Sequence, residues 1–117
     1  MNDLSKLYIN GQWEAWSGDT IDVHEAGTGE VMAKVPAGRS DMERAIAAAH
    51  DAFDSWSEST VEQRTKVLEQ LLAGLKERAP EIAQVICREV GMPIKMAGQI
   101  QAGLPVAITQ SYLDMLP

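Results

Sequence analysis

The sequence predicts an incomplete α/β layer: two N-terminal β-hairpins followed by about four to five α-helices. Three observations predict it. An Asn10-Gly11 step lies between β-prone apolar residues, the composition turns alanine- and leucine-rich after Pro36, and helical periodicity then runs almost to the end. Strands followed by helices, without β-α alternation, do not make a self-contained parallel sheet. The pattern therefore reads as part of one larger domain, with residues 1–36 as its hairpin segment and 37–117 as its helical segment.

Leu7-Tyr8-Ile9, Asn10-Gly11 and Gln12-Trp13 predict the first hairpin. A type I′ turn needs φ > 0 at both central residues, and Asn-Gly is the pair that adopts it most readily. Thr20 to His24 and Glu30 to Val35 alternate apolar with polar residues and predict the second, joined by Glu25-Ala26-Gly27-Thr28-Gly29. A lone hairpin is marginal in water, so each must pair with further strands or lie on helices.

Ser40-Asp41-Met42-Glu43 predicts a capping box at the start of the first helix, which makes Ser40→Ala cost about 1 kcal/mol. Met42, Ile46, Ala49 and Phe53 share one face of that helix, and Trp56 sits at its end. Thr60 with Gln63, or Ser59 with Glu62, opens a second helix whose apolar face is Val61, Leu68, Leu71, Leu72 and Leu75. Pro80 biases Ala79 towards extended backbone and predicts a separate short third helix carrying Ile82, Val85, Ile86 and Val90. Gly91 is expected to end it in the left-handed conformation, and Pro93 to open a fourth helix through Leu104. A mid-helix proline costs about 3 kcal/mol and a glycine about 1, so Gly103 and Pro105 predict a kink or break before a last segment from Val106 to Met115.

At 117 residues, 45% hydrophobic and 23% charged, the chain has an ordinary globular composition. Its formal charge of −7 repels phosphate backbones and argues against nucleic-acid binding. The single cysteine, Cys87, cannot close an internal disulfide, which fits a reducing compartment and makes the cytoplasm the expected location. Met1 to Lys6 is polar with no signal-peptide core, and no apolar run approaches the roughly 18 residues that span a bilayer, so no membrane partner is expected.

Cys87 is the one candidate nucleophile. In that reading Arg88 would lower its pKa and a histidine would act as base, but Cys87 reads better as a small packed helical residue. His24 and His50 form no metal-binding pair; His24 ends a strand and His50 faces solvent. Gly27-Thr28-Gly29 lacks the third glycine of a dinucleotide fingerprint and precedes a strand, so it is a hairpin loop. Trp13, Trp16 and Trp56 are expected to bury against the helices. Glu89 stands at a helix end, where carbonyls lack intrahelical partners.

The order of these pieces resembles the aldehyde dehydrogenase superfamily. Leu7-Tyr8-Ile9-Asn10-Gly11-Gln12-Trp13 is similar to that family's opening hairpin, and Thr28-Gly29-Glu30-Val31 with Ala33, Val35 and Pro36 to its Asn-Pro-Ala-Thr-Gly-Glu hairpin. Ala45 to Trp56 resembles its alanine-rich first helix with a Phe-x-x-Trp end, and Arg64 with the following leucines its Arg-x-x-x-Leu segment. Glu89-Val90-Gly91-Met92-Pro93-Ile94 is similar to its Glu-x-Gly-Lys-Pro-Ile turn. The chain departs from the pattern at Glu25-Ala26-Gly27, which replaces Asn-Pro-Ala, and at Met92, which replaces lysine.

The resemblance implies an α/β parent enzyme that oxidises an aldehyde to a carboxylic acid. In it a cysteine thiolate attacks the carbonyl, hydride passes to NAD or NADP, and a glutamate-activated water releases the acid. Those residues lie downstream in the family, so no residue here is expected to be catalytic or cofactor-binding, and Cys87 does not match the catalytic motif. The implied role is a structural, inactive part of the cofactor-binding domain, partnered by the remainder of the same polypeptide in a homodimer or homotetramer. The resemblance also implies main-chain contacts to a monovalent cation near His24 and Glu89. A piece of this kind should expose an apolar patch larger than a few hundred Å². The alternative is a stand-alone helical protein-interaction module, with an independent small enzyme built on Cys87 ranked below it.

Overall fold

The computed structural model describes residues 6–16, 18–36 and 38–116; the polar start up to Ser5 and positions 17, 37 and 117 lie outside the described residues. The chain forms two compact units. One comprises the described residues up to His24 with Thr28–Glu58, and the other Glu25–Gly27 with the described residues from Ser59 onward.

In the first unit, β1 (Lys6–Ile9) and β2 (Gln12–Ala15) run antiparallel, with Tyr8 opposite Trp13 and Ile9 opposite Gln12. Asn10 (φ 50°) and Gly11 (φ 75°) have the two positive φ values that the expected turn requires. β3 (Thr20–His24) and β4 (Val31–Pro36) form the second hairpin, with a bulge between Val23 and His24. Each hairpin is its own two-stranded sheet. The first finds its support on α1 (Arg39–Ser57): Ala45, Ala48, Ala49 and Ala52 line a groove of about 310 Å³ with Tyr8 to Gly11. Arg44 of α1 fixes the contact, bonding Glu14 of β2 and, at 3.0 Å, Asp41 of its own first turn.

Two expectations fail in this unit. The capping box at Ser40 does not form: the N-cap is Gly38, with no side-chain cap. The Trp16 ring lies over Gly38, and a Cβ there would come within 2.3 Å of it, so a cap residue with a side chain does not fit. Asp41 meanwhile engages Arg44. The tryptophans are also not all buried. Trp13 packs against Tyr8, rings tilted by 54° with centroids 5.0 Å apart, on an exposed strand face, Trp56 is exposed, and only Trp16 is half-buried, its Nε1 donating to the Asp19 carbonyl.

The second unit is built on α2 (Val61–Val90). At 1.5 Å per residue, its 30 residues span about 45 Å. Its start is the expected capping box: Thr60 Oγ1 accepts from Gln63 N–H at 3.2 Å, and Gln63 Oε1 accepts from Thr60 N–H at 2.8 Å. Its end is Gly91 at φ 74°, ψ 17°, whose N–H donates to the Cys87 carbonyl at 3.0 Å. The expected break at Pro80 is absent, and the predicted second and third helices are one. Packing outweighs the proline penalty of about 3 kcal/mol. Ala79, Ile82, Ala83 and Ile86 flank Pro80 and pack with Ala97 and Ala102, both almost fully buried. Arg78 spans the proline with two bonds to Glu81 (3.0 and 3.2 Å), which raises the Arg78 pKa and lowers that of Glu81.

After Pro93 the chain forms one turn, α3 (Ile94–Met96), then a π-helical stretch (Ala97–Ala102), then α4 (Gly103–Met115). The expected break at Pro105 does not occur: Gly103 and Pro105 lie in the first turn of α4, directly after the π-helical stretch. A proline cannot donate to the residue four back and its ring crowds that carbonyl. Widening the preceding turn by one residue accommodates both. Gly103 belongs there, because a Cβ would stand 3.1 Å from the Gly98 carbonyl oxygen. Among the described residues, no helix is long and apolar enough to cross a membrane.

Candidate functional site

Cys87 lies in the last two turns of α2, half-buried, with its carbonyl taken by Gly91 N–H. The described residues contain no group of three or more His, Cys, Asp or Glu able to hold a metal ion. His50 is on the surface of α1, its Nδ1 3.9 Å from Asp51, as the sequence predicts. His24 closes β3 in the first unit, where its Nδ1–H donates to the Gly29 carbonyl at 3.0 Å. Glu89 is in the last turn of α2 in the second unit, so its carbonyl is among the four that an α-helix cannot satisfy internally. Gly27-Thr28-Gly29 is a hairpin loop, as expected, in which the Thr28 hydroxyl accepts from Glu30 N–H at 3.2 Å.

Sequence reasoning missed one constellation. Arg88 Nε donates to Glu25 Oε1 at 2.7 Å, and the Arg88 carbonyl accepts from Ala26 N–H at 2.8 Å. The partners are more than sixty residues apart, so no local pattern announces them. The one signal was the departure at Glu25-Ala26. Elsewhere, Lys34 holds the Asp22 carboxylate at 2.5 Å across β3 and β4, which lowers the Asp22 pKa.

The other prominent feature is apolar. Met42, Ile46 and Phe53 on α1 are 63%, 62% and 65% exposed, although they form the face that the sequence assigns to a core. In the second unit, Leu72 is buried and Leu68 and Leu75 half-buried, but Val61 and Leu71 of the same predicted face are exposed, as are Ile94, Ile100, Leu104, Ile108 and Tyr112. Ile9, Leu72 and three alanines are the buried hydrophobic residues among those described. Such faces normally meet another layer.

Two hairpins followed by helices with uncovered apolar faces define a portion of a larger α/β fold, and the family model for the aldehyde dehydrogenase family matches residues 13–116. The chain belongs to that family. A malonate-semialdehyde dehydrogenase from Bacillus pumilus is 37% identical over 104 residues, covering 86% of this chain and 21% of that protein. The crystal structure of aldehyde dehydrogenase C from Pseudomonas syringae, complexed with NAD+ and octanal, superposes with a TM-score of 0.89 at 36% identity, over 97% of this chain and 24% of that one. Lactaldehyde dehydrogenase from Escherichia coli gives 0.88 at 30% identity, over 95% and 24%. The chain therefore spans about a quarter or less of the relatives it matches, and its fold is that of an N-terminal portion of an aldehyde dehydrogenase.

Proposed function

We propose that this chain is a supporting part of the cofactor-binding domain of an NAD(P)-dependent enzyme that oxidises an aldehyde to a carboxylic acid, and that alone it is structural and inactive. The observation that carries the reading is the uncovered apolar face of α1, with Met42, Ile46 and Phe53 all more than half exposed. An apolar helix face this exposed calls for a covering layer, and the remainder of the same polypeptide is the partner this reading supplies. The chemistry of the described residues agrees: one half-buried helical cysteine, a loop in place of a dinucleotide fingerprint, and histidines at a strand end and on an exposed helix surface.

NAD is the favoured cofactor of the whole enzyme, because solved relatives from Pseudomonas syringae and elsewhere were complexed with it. The named relatives act on malonate semialdehyde and lactaldehyde, or hold octanal, while matching this region similarly well, which supports a reading in which the aldehyde is selected elsewhere. A homodimer or homotetramer in the cytoplasm remains the proposed setting. For the whole enzyme we keep a main-chain contact to a monovalent cation at Glu89, whose position in the last turn of α2 supports it. His24 is kept as a main-chain contact on the family resemblance alone. Calorimetric titration of the purified chain with NAD+ tests the proposal: no heat of binding is expected, and micromolar affinity would overturn the assignment of a purely supporting role.

A further inference from the structure

The segment Glu25–Gly27 does not stand free in the second unit. Ala26 N–H donates to the Arg88 carbonyl at 2.8 Å, and the Arg88 guanidinium donates to Glu25 at 2.7 Å. A Cβ added to Gly91 would stand 3.2 Å from the Ala26 Cβ, so residue 26 rests against the glycine that ends α2. The Arg88 carbonyl is one of the last four of the helix, and the Gly91 N–H is committed to Cys87.

We propose that Glu25–Gly27 is a releasable strap that completes the C-cap of α2, clasped by Arg88 through its carbonyl and its side chain together. Ala26 supplies what the strap needs. The family pattern places proline there, and a proline has no N–H to give. Glu25, where that pattern has asparagine, adds a charge-assisted bond to a guanidinium whose own charge suits the negative end of the helix. Glu25 is 24% and Arg88 45% exposed, so the ion pair is open to solvent on one side. That makes the clasp weak enough to open without unfolding α2.

Amide exchange followed by NMR on the 117-residue chain reads the clasp directly. Ala26 N–H is expected to be protected, and Glu25→Gln to speed its exchange about two- to five-fold, the range for an ion pair of this exposure. Arg88→Gln should do the same, and the double variant should fall short of the product of the two single effects, because the two residues share one interaction. Ala26→Pro should speed exchange of the Gly91 N–H, since the helix end loses its cover. An unprotected Ala26 in the unaltered chain, no response to Glu25→Gln, independent effects of the two single variants, or an unchanged Gly91 in Ala26→Pro would each overturn the strap.

Discussion

Replacing glycine by alanine at two positions on α2 should change stability in opposite directions. Gly91 sits at φ 74°, where an L-residue costs roughly 1–2 kcal/mol, and its new Cβ would press on Ala26 at 3.2 Å. Gly74 lies inside the helix, and a Cβ there meets nothing within 4 Å. Alanine at that site gains about 0.5–1 kcal/mol from reduced backbone entropy in the unfolded chain. Because the added atom is the same, the two variants should differ by about 1.5–3 kcal/mol through backbone conformation and local space. Urea unfolding followed by far-UV circular dichroism would read this as midpoints separated by about 0.75–3 M, given slopes of about 1–2 kcal/mol per M. Gly91→Ala should move below the parent and Gly74→Ala above it. A neutral Gly91→Ala would refute the geometry assigned to the end of α2, and a destabilising Gly74→Ala the open space beside its interior.

Other substitutions separate the caps and the proline. Thr60→Ala should cost about 1 kcal/mol in the same assay, whereas Ser40→Ala should change stability by less than about 0.5, because only Thr60 caps a helix. Pro80→Ala should stabilise α2 by about 1–3 kcal/mol, since it restores an interior donor at the cost of some unfolded-state freedom. Asp22, held by Lys34, titrates below the usual aspartate value, so its contribution is full above the unfolded aspartate pKa and is lost as pH falls through the lowered folded value. Carboxyl NMR should show that lowered titration, and Lys34→Met should return it to the ordinary range.

Local chemistry was the legible part of this sequence. The Asn10-Gly11 turn, the Thr60–Gln63 box and the Gly91 terminator each follow from residues within a few positions of one another, and each stands where the sequence places it. The errors arose where tertiary contact overrides local preference. Pro80 reads as a break because its penalty is local, while the packing of Ala83 on Ala97 and Ala102 that offsets it is not. Ser40 reads as a cap because nothing in its neighbourhood reveals that Trp16 will cover Gly38. The π-turn is a third case: proline and glycine announce a disturbance, but the sequence does not say whether it is resolved by a kink or a widened turn. The strap on Arg88 was invisible for the same reason, since its partners come from distant parts of the chain. The composition change at Pro36 does mark where strands give way to helices, although the compact units divide after Glu58.

The proposed supporting role rests on the exposed apolar face of α1. The most direct test is aldehyde-dependent NADH formation by the purified chain, followed with a short aliphatic aldehyde and excess NAD+. The account expects a rate equal to the protein-free blank, unchanged in Cys87→Ser. Turnover above that blank, abolished by Cys87→Ser, would contradict it.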